Sequence, residues 1–299
     1  MRLLVTGATG LIGRHTVSEL QSKGHEVRTF QRSRFDGVET VEGDVRTDCQ
    51  RLMQAARGCE VVVHLAGRGD VGESRTDPVA YANLNAMGAL HALEAARDTG
   101  AAFILASSQR VYPLQPQPCR EDQPPAPDSP YGYAKWVAEL WCRMAAEQFA
   151  VPVRVLRFFS VYGPGQQANG GSGVVSIFGR AAMAGEPLIV QSAGRRDFTH
   201  ARDVARGILL AVEDACVLRG YRVYNIATGL GTTFAALAQA VVALTRSTSP
   251  IQLAVNEPEG RDLVADTTCA QTQLTYAASI SLNDGLEQYL EWLRRQNCC

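Results

Sequence analysis

Residues Arg2–Gly13 read RLLVTGATGLIG. A run of leucine and valine stops at a glycine, and Gly7, Gly10 and Gly13 then recur every third position as the chain enters an amphipathic stretch from Leu11 to Lys23. A short branched run that ends in glycine is a strand closed by a tight turn, and the stretch after it has a helical period. In such a strand–turn–helix unit, side chains at the first two glycines would keep a dinucleotide's pyrophosphate away from the backbone N–H groups and the positive end of the helix. The third glycine lets helix and strand pack closely. Gly7, Gly10, Leu11, Ile12 and Gly13 are therefore the expected cradle of a dinucleotide cofactor.

The same alternation continues outward from this unit. Strand-like HEVRTF, EVVVHLAG, AAFILASS and VPVRVLRF are separated by helix-like stretches at Cys49–Arg57, Asn83–Thr99 and Tyr131–Phe149. Short Val/Ile/Leu-rich runs between amphipathic helices predict an α/β fold, a doubly wound parallel (Rossmann) sheet covered on both faces. After Gly163 the rhythm loosens into GPGQQANGGSG, followed by a helix at about Val174–Ala184; DVARGILLAVE and YRVYNIA return to the sheet. Residues 1–162 with about 197–228 are expected to form the dinucleotide-binding domain. About 163–196 with 229–299 are expected to form a smaller, C-terminal substrate-binding lobe.

With 299 residues, 46% hydrophobic content and a formal charge of −1, the chain can bury a full core and has no basic face to attract nucleic acid or an anionic membrane. The start MRLLVTGATG meets glycine too early for the apolar region of a signal peptide, and no apolar run is long enough to span a bilayer, so a cytoplasmic protein is expected. The eight cysteines form no CxxC pair or Cys/His cluster at ligand spacing, and no metal is expected.

The end of the second strand should meet the adenosine ribose. An acidic residue there would accept from the free 2'-hydroxyl of NAD, but the sequence offers Gln31, Arg32, Ser33 and Arg34. With no carboxylate to repel a 2'-phosphate and two guanidiniums to pair with one, this favours NADP over NAD. In EGDVR, Asp44, next to Val45, has two readings: acceptor from the adenine amino group, or cap of the helix at Cys49.

Ser129–Lys135 reads SPYGYAK, two tyrosines close before one of only two lysines in the chain. Residues four apart share a helix face and residues two apart do not, so Tyr131, not Tyr133, is the partner of Lys135. A phenol is a poor base at neutral pH, and an adjacent ammonium favours the phenolate; lysine can also reach the ribose of a bound nicotinamide. A hydroxyl to hold the reacting oxygen should come from ASSQRVY, where spacing leaves Ser107 and Ser108 both open.

These residues, together with VVHLAG, NAMGALHALEAAR, LRFFSVYGPG, RRDFTHARDVA, YNIATG and SLNDGLEQYLEWLR, resemble the extended short-chain dehydrogenase/reductases nearly end to end. Within that group the chain is most similar to nucleotide-sugar enzymes of the UDP-glucose 4-epimerase type. The resemblance implies that Ser108, Tyr131 and Lys135 are catalytic, and that Asn85 orders the active-site helix and a water relay. It implies that Leu65, Ala66 and Gly67 line the adenosine ribose and that Phe158 packs by the nicotinamide. Arg196 would clamp the substrate diphosphate, with Val71 and Ser160 also on the substrate side. Ser160 replaces the asparagine usual at its position, and SSQR lacks the Thr-Asp-Glu of the sugar 4,6-dehydratases, which argues against elimination. The expected reaction is epimerisation by hydride transfer at sugar C4 through a 4-keto intermediate; the alternative is an NADPH-dependent 4-ketosugar reductase. A homodimer is expected, paired through the helix after Asn85 and the helix bearing Tyr131, where Trp136, Leu140 and Trp141 offer apolar surface.

Overall fold

The structure, a computed structural model, describes residues 1–166, 173–255 and 260–297. Strands β1 (Arg2–Thr6), β2 (Glu26–Gln31), β3 (Glu39–Glu42), β4 (Val61–His64), β5 (Ala102–Ser108) and β6 (Val153–Phe158) make one sheet. Counting β9 (Tyr221–Ile226) it has seven strands in the order β3-β2-β1-β4-β5-β6-β9, every neighbouring pair parallel. The order reverses beside β1, so the ends of β1 and β4 diverge into a crevice above the glycine turn.

Because side chains alternate along a strand, β1 feeds two cores. Leu3 and Val5 join Val17 and Leu20 of α1 (Leu11–Ser22) on one face. Leu4 joins Leu52 of α2 (Cys49–Ala56) on the other. The second face is completed by α5 (Gly88–Thr99) and α6 (Pro130–Phe149), the first by α8 (Ala201–Val217).

Between β4 and α5 come two short helices, α3 (Val71–Thr76) and α4 (Pro78–Tyr81), and then a π-helical turn, Ala82–Met87. A third core gathers residues beyond Gly163: α7 (Val174–Ala184), the pair β7 (Leu188–Val190) and β11 (Ile251–Leu253), α9 (Phe234–Thr245) and α11 (Leu282–Asn297). A further pair, β8 (Arg195–Asp197) with β10 (Gly231–Thr233), is antiparallel. Helix α10 (Thr268–Leu274), within the 229–299 stretch, packs Ala270 and Leu274 into the sheet-side core instead.

Three places stitch these parts together. Cys119 pairs with Ala265, Tyr162 with His200 and Arg196 with Leu263 as isolated parallel bridges. The buried Asp197 carboxylate accepts from Thr228 N at 3.0 Å, Gly229 N at 2.8 Å and the Thr228 hydroxyl at 2.6 Å. No helix among the described residues is long and apolar enough to cross a membrane.

Candidate active site

The glycine turn is fixed by contacts that exclude a side chain. Gly7 lies at φ 73°, and a Cβ there would stand 2.6 Å from Ala66 N; at Gly13 it would stand 2.3 Å from Gly7 O. The first glycine therefore serves the approach of β4's end as much as that of a ligand. Gly7 and Gly10 open onto a bay of about 500 Å³ with Gln31, Arg32, Asp44, Val45, Leu65, Ala66 and Gly67 on its walls. Gln31 Oε1 accepts from Thr9 N at 3.1 Å, and its Nε2 is buried with no partner among the described residues. Asp44 does not cap α2. Its carboxylate is gripped by the Arg46 guanidinium at 2.6–3.1 Å, which holds its pKa down at about 2, with burial opposing and Arg32 assisting.

A second bay of about 520 Å³ shares Gly7, Gly10, Leu65 and Gly67 with the first and continues along Leu11, Ile12, Gly13, Val71, Ser108, Tyr131, Phe158, Ser160 and Arg196. Helix α6 delivers Tyr131 here. Ser129 Oγ caps it, accepting from Gly132 N at 3.3 Å, with Pro130 at its first turn. A Cβ on Gly132 would meet Arg110 O at 2.4 Å, so the helix start sits hard against the 3₁₀ turn Gln109–Val111. Tyr131 and Lys135 are buried and Tyr133 is exposed, as their spacing predicts.

The choice between the serines is made by a residue 32 positions away. Ser107 Oγ donates to the buried Glu139 carboxylate, which Arg157 holds through Nη2 at 2.7 Å and Nε at 3.1 Å. Arg157 Nη1 in turn donates to Tyr112 Oη at 2.8 Å, and that hydroxyl donates to Asn225 Oδ1 at 2.8 Å. Ser107 is committed to this network. Ser108 Oγ, which accepts from Arg110 N at 3.2 Å and lies beside the Tyr131 phenol, is committed to no such network among the described residues and is the hydroxyl left for a ligand.

Lys135 Nζ donates to Ala106 O at 2.9 Å and lies 3.3 Å from where a Gly67 Cβ would be, behind the wall that both bays share. Burial lowers its pKa to about 8 against the charge of Glu139, one turn along α6. Tyr131's pKa is raised by burial and eased back by the Ser108 hydroxyl and by Arg110. Asn85, on the π turn, is fully buried: its Oδ1 accepts from Arg68 N at 3.1 Å and its Nδ2 donates to Arg68 O at 3.2 Å. It holds the Gly67–Arg68 wall and lines neither bay; π turns recur at functional sites.

Arg196, Val174 and Phe234 border both this bay and a third, of about 910 Å³, that runs on between α7 and β7 along Ile177, Phe178, Leu188 and Ile189. Arg196 Nη1 donates to Arg195 O at 2.9 Å and Arg261 O at 2.7 Å, with its guanidinium 5.2 Å over the Phe234 ring. Ser160 stands at φ 22°, a region that the asparagine expected at this position tolerates better than serine. Its Oγ accepts from Gln109 Nε2 at 3.1 Å. The sequence reading missed Phe234, which carries no motif, and Gln109, which lies within ASSQRVY but was given no role. It also missed Glu139, although a carboxylate following Tyr131 and Lys135 at four-residue intervals on a buried face was a visible signal.

A seven-stranded parallel sheet, a glycine turn at its switch point and a Ser-Tyr-Lys set beside it define an extended short-chain dehydrogenase/reductase. The chain belongs to the NAD dependent epimerase/dehydratase family, whose model matches residues 3–227. Among characterised relatives, the UDP-glucose 4-epimerase of Mycolicibacterium smegmatis is 30% identical, over 99% of this chain and 100% of its own. Among solved structures, UDP-glucose 4-epimerase with UDP-glucose from Thermotoga maritima is similar at 30% identity and TM-score 0.90, covering 99% of this chain and 100% of that one. MoeE5 in complex with UDP-glucose and NAD is similar at 31% identity and TM-score 0.91, with the same coverage.

Proposed function

We propose that the protein is an NAD(P)-dependent nucleotide-sugar 4-epimerase. The observation that carries this reading is the single cleft of three communicating bays with Ser108 and Tyr131 in the middle one. Its ends are those a dinucleotide and a nucleotide sugar need. The glycine turn, bare of side chains, leaves backbone N–H groups for a pyrophosphate, and Gln31 lines the adenosine bay beside it. The relatives named for UDP-glucose, and MoeE5 bound to UDP-glucose and NAD, point the same way.

In this reading Tyr131 Oη takes the proton of the sugar C4 hydroxyl, and Ser108 Oγ donates to the same oxygen as it becomes a carbonyl. The nicotinamide supplies a hydride acceptor and donor. Arg196 binds the diphosphate at the border of the outer bay, which receives the nucleoside. Lys135 holds positive charge behind Gly67, at the cofactor's edge. Turning of the 4-keto sugar and reduction from its other face complete the epimerisation. Tyr131→Phe should lower kcat by about 10²- to 10⁴-fold while dinucleotide binding persists, measured by product chromatography and cofactor titration; full turnover by the variant would overturn the assignment.

One observation favours the reductase reading. The end of β2 carries no carboxylate, and Arg32 and Ser33 line the adenosine bay, a setting for NADP. Mass spectrometry of nucleotide released from freshly purified, denatured protein separates the two. Stoichiometric NAD supports the epimerase; an empty protein that takes up NADPH before NADH supports the ketoreductase.

The substrate-binding lobe is assigned to 163–196 and 229–299 apart from α10, and a homodimer to the α5 and α6 faces. Met87, Tyr133, Leu140 and Phe149 are exposed there, whereas Trp136 and Trp141 pack against cores of their own subunit.

A further inference from the structure

Resting on the nucleotide-sugar reading above, we propose that the sugar carries a carboxylate on C5, a uronic acid, and that Arg110 recognises it. Arg110 follows Ser108 by two residues on the 3₁₀ turn and lines the central bay with Ser108 and Tyr131. Its side chain is only 23% exposed, yet among the described residues its guanidinium makes no hydrogen bond. It forms an ion pair with Asp128 at 3.8 Å, beyond hydrogen-bonding distance, and Asp128 is itself about a third exposed. Two more deeply buried arginines are used differently. Arg154 donates to the Asp214 carboxylate and to four carbonyls, and Arg157 to Glu139, Tyr112 and Glu121 O. A guanidinium carries five donors and cannot shed its charge, so one drawn three-quarters out of water, with a single distant ion pair and no hydrogen bond among the described residues, is suited to a ligand's anion.

The geometry of a pyranose decides which anion. C4 lies across the ring from C1. With the C4 oxygen between Ser108 and Tyr131, the C1 diphosphate lies across the bay, where Arg196, Val174 and Phe234 lead to the outer bay. A side chain two residues past Ser108 meets the neighbours of C4, the substituents on C3 and C5. A neutral sugar has no charge there, and its diphosphate is out of Arg110's reach. A C5 carboxylate offers two coplanar oxygens that a guanidinium fork binds together.

Lys135 does not compete, being bonded to Ala106 O behind Gly67.

The test compares kcat/KM for UDP-glucuronate with that for UDP-glucose and UDP-N-acetylglucosamine in the wild type, Arg110→Gln and Arg110→Lys, with circular-dichroism melting to show that each is folded. The wild type should prefer the uronate. The uronate-to-glucose ratio should fall about 10- to 100-fold in Arg110→Gln, as for loss of a charge-assisted hydrogen bond, and less in Arg110→Lys. A wild type that handles a neutral sugar as well or better, or a ratio that Arg110→Gln leaves unmoved, overturns the proposal while leaving the nucleotide-sugar reading intact. No turnover of any of the three by the wild type overturns both.

Discussion

Tyr131 can act as a base only if its burial is compensated. The phenol is pushed up by its apolar surroundings and brought back by a hydroxyl, Ser108, and a cation, Arg110. Removing that cation disfavours the phenolate, so in Arg110→Gln the rise of kcat/KM with pH should move to higher pH; an unshifted profile would mean that Arg110 does not act on Tyr131. Lys135 titrates the other way. Its pKa of about 8 means that its charge is lost as pH climbs through that value, and Glu139 is what keeps it from falling further. At this scale the sequence told which tyrosine faces the lysine, because helix phase is local. It left the two serines undecided, because Glu139 and Arg157 decide between them from other elements. Nor could it show that the carbonyl of Ala106, on another element, takes the lysine's ammonium.

Helix α6 is fixed at one end by a cap and along its buried face by an ion pair to β6. Ser129→Ala should cost about 1 kcal/mol by chemical denaturation, since Gly132 N then loses its acceptor. Glu139→Ala should cost about 3–5 kcal/mol, because it strands the Arg157 guanidinium without its counter-charge. The double change Glu139→Leu with Arg157→Leu should recover much of that loss; if it does not, the pair contributes more than its mutual compensation. Six of the seven sheet strands were legible as apolar runs, and helix α7 as a period. Strand β3 was not: ETVE has charge at both ends and half-buried residues between, as an edge strand can. The π turn at Ala82–Met87 was hidden too, since it reads in sequence as continuous helix.

For the whole molecule, the expected pairing through α5 and α6 is tested by light scattering. A dimer has twice the chain's 32.3 kDa, and Leu140→Arg should return it to that value; a wild-type monomer would refute the pairing. Apart from its β3 edge, the wound sheet was legible because each βα unit repeats one pattern. The cleft's outer walls were not, because they are assembled from chain segments far apart in sequence.

That assembly bears on how such a protein could be re-engineered. Asp197 draws Thr228 and Gly229 to itself, Cys119 pairs with Ala265, and Arg196 pairs with Leu263. The walls around the ligand are thus woven through the sheet's own connections. Specificity cannot be transplanted as a cassette by a single splice after β6. A chimera would have to exchange the segment after Gly163, the stretch beyond Gly229 and the proline-rich loop at Cys119 together, and it would have to keep an aspartate at position 197 to tie them.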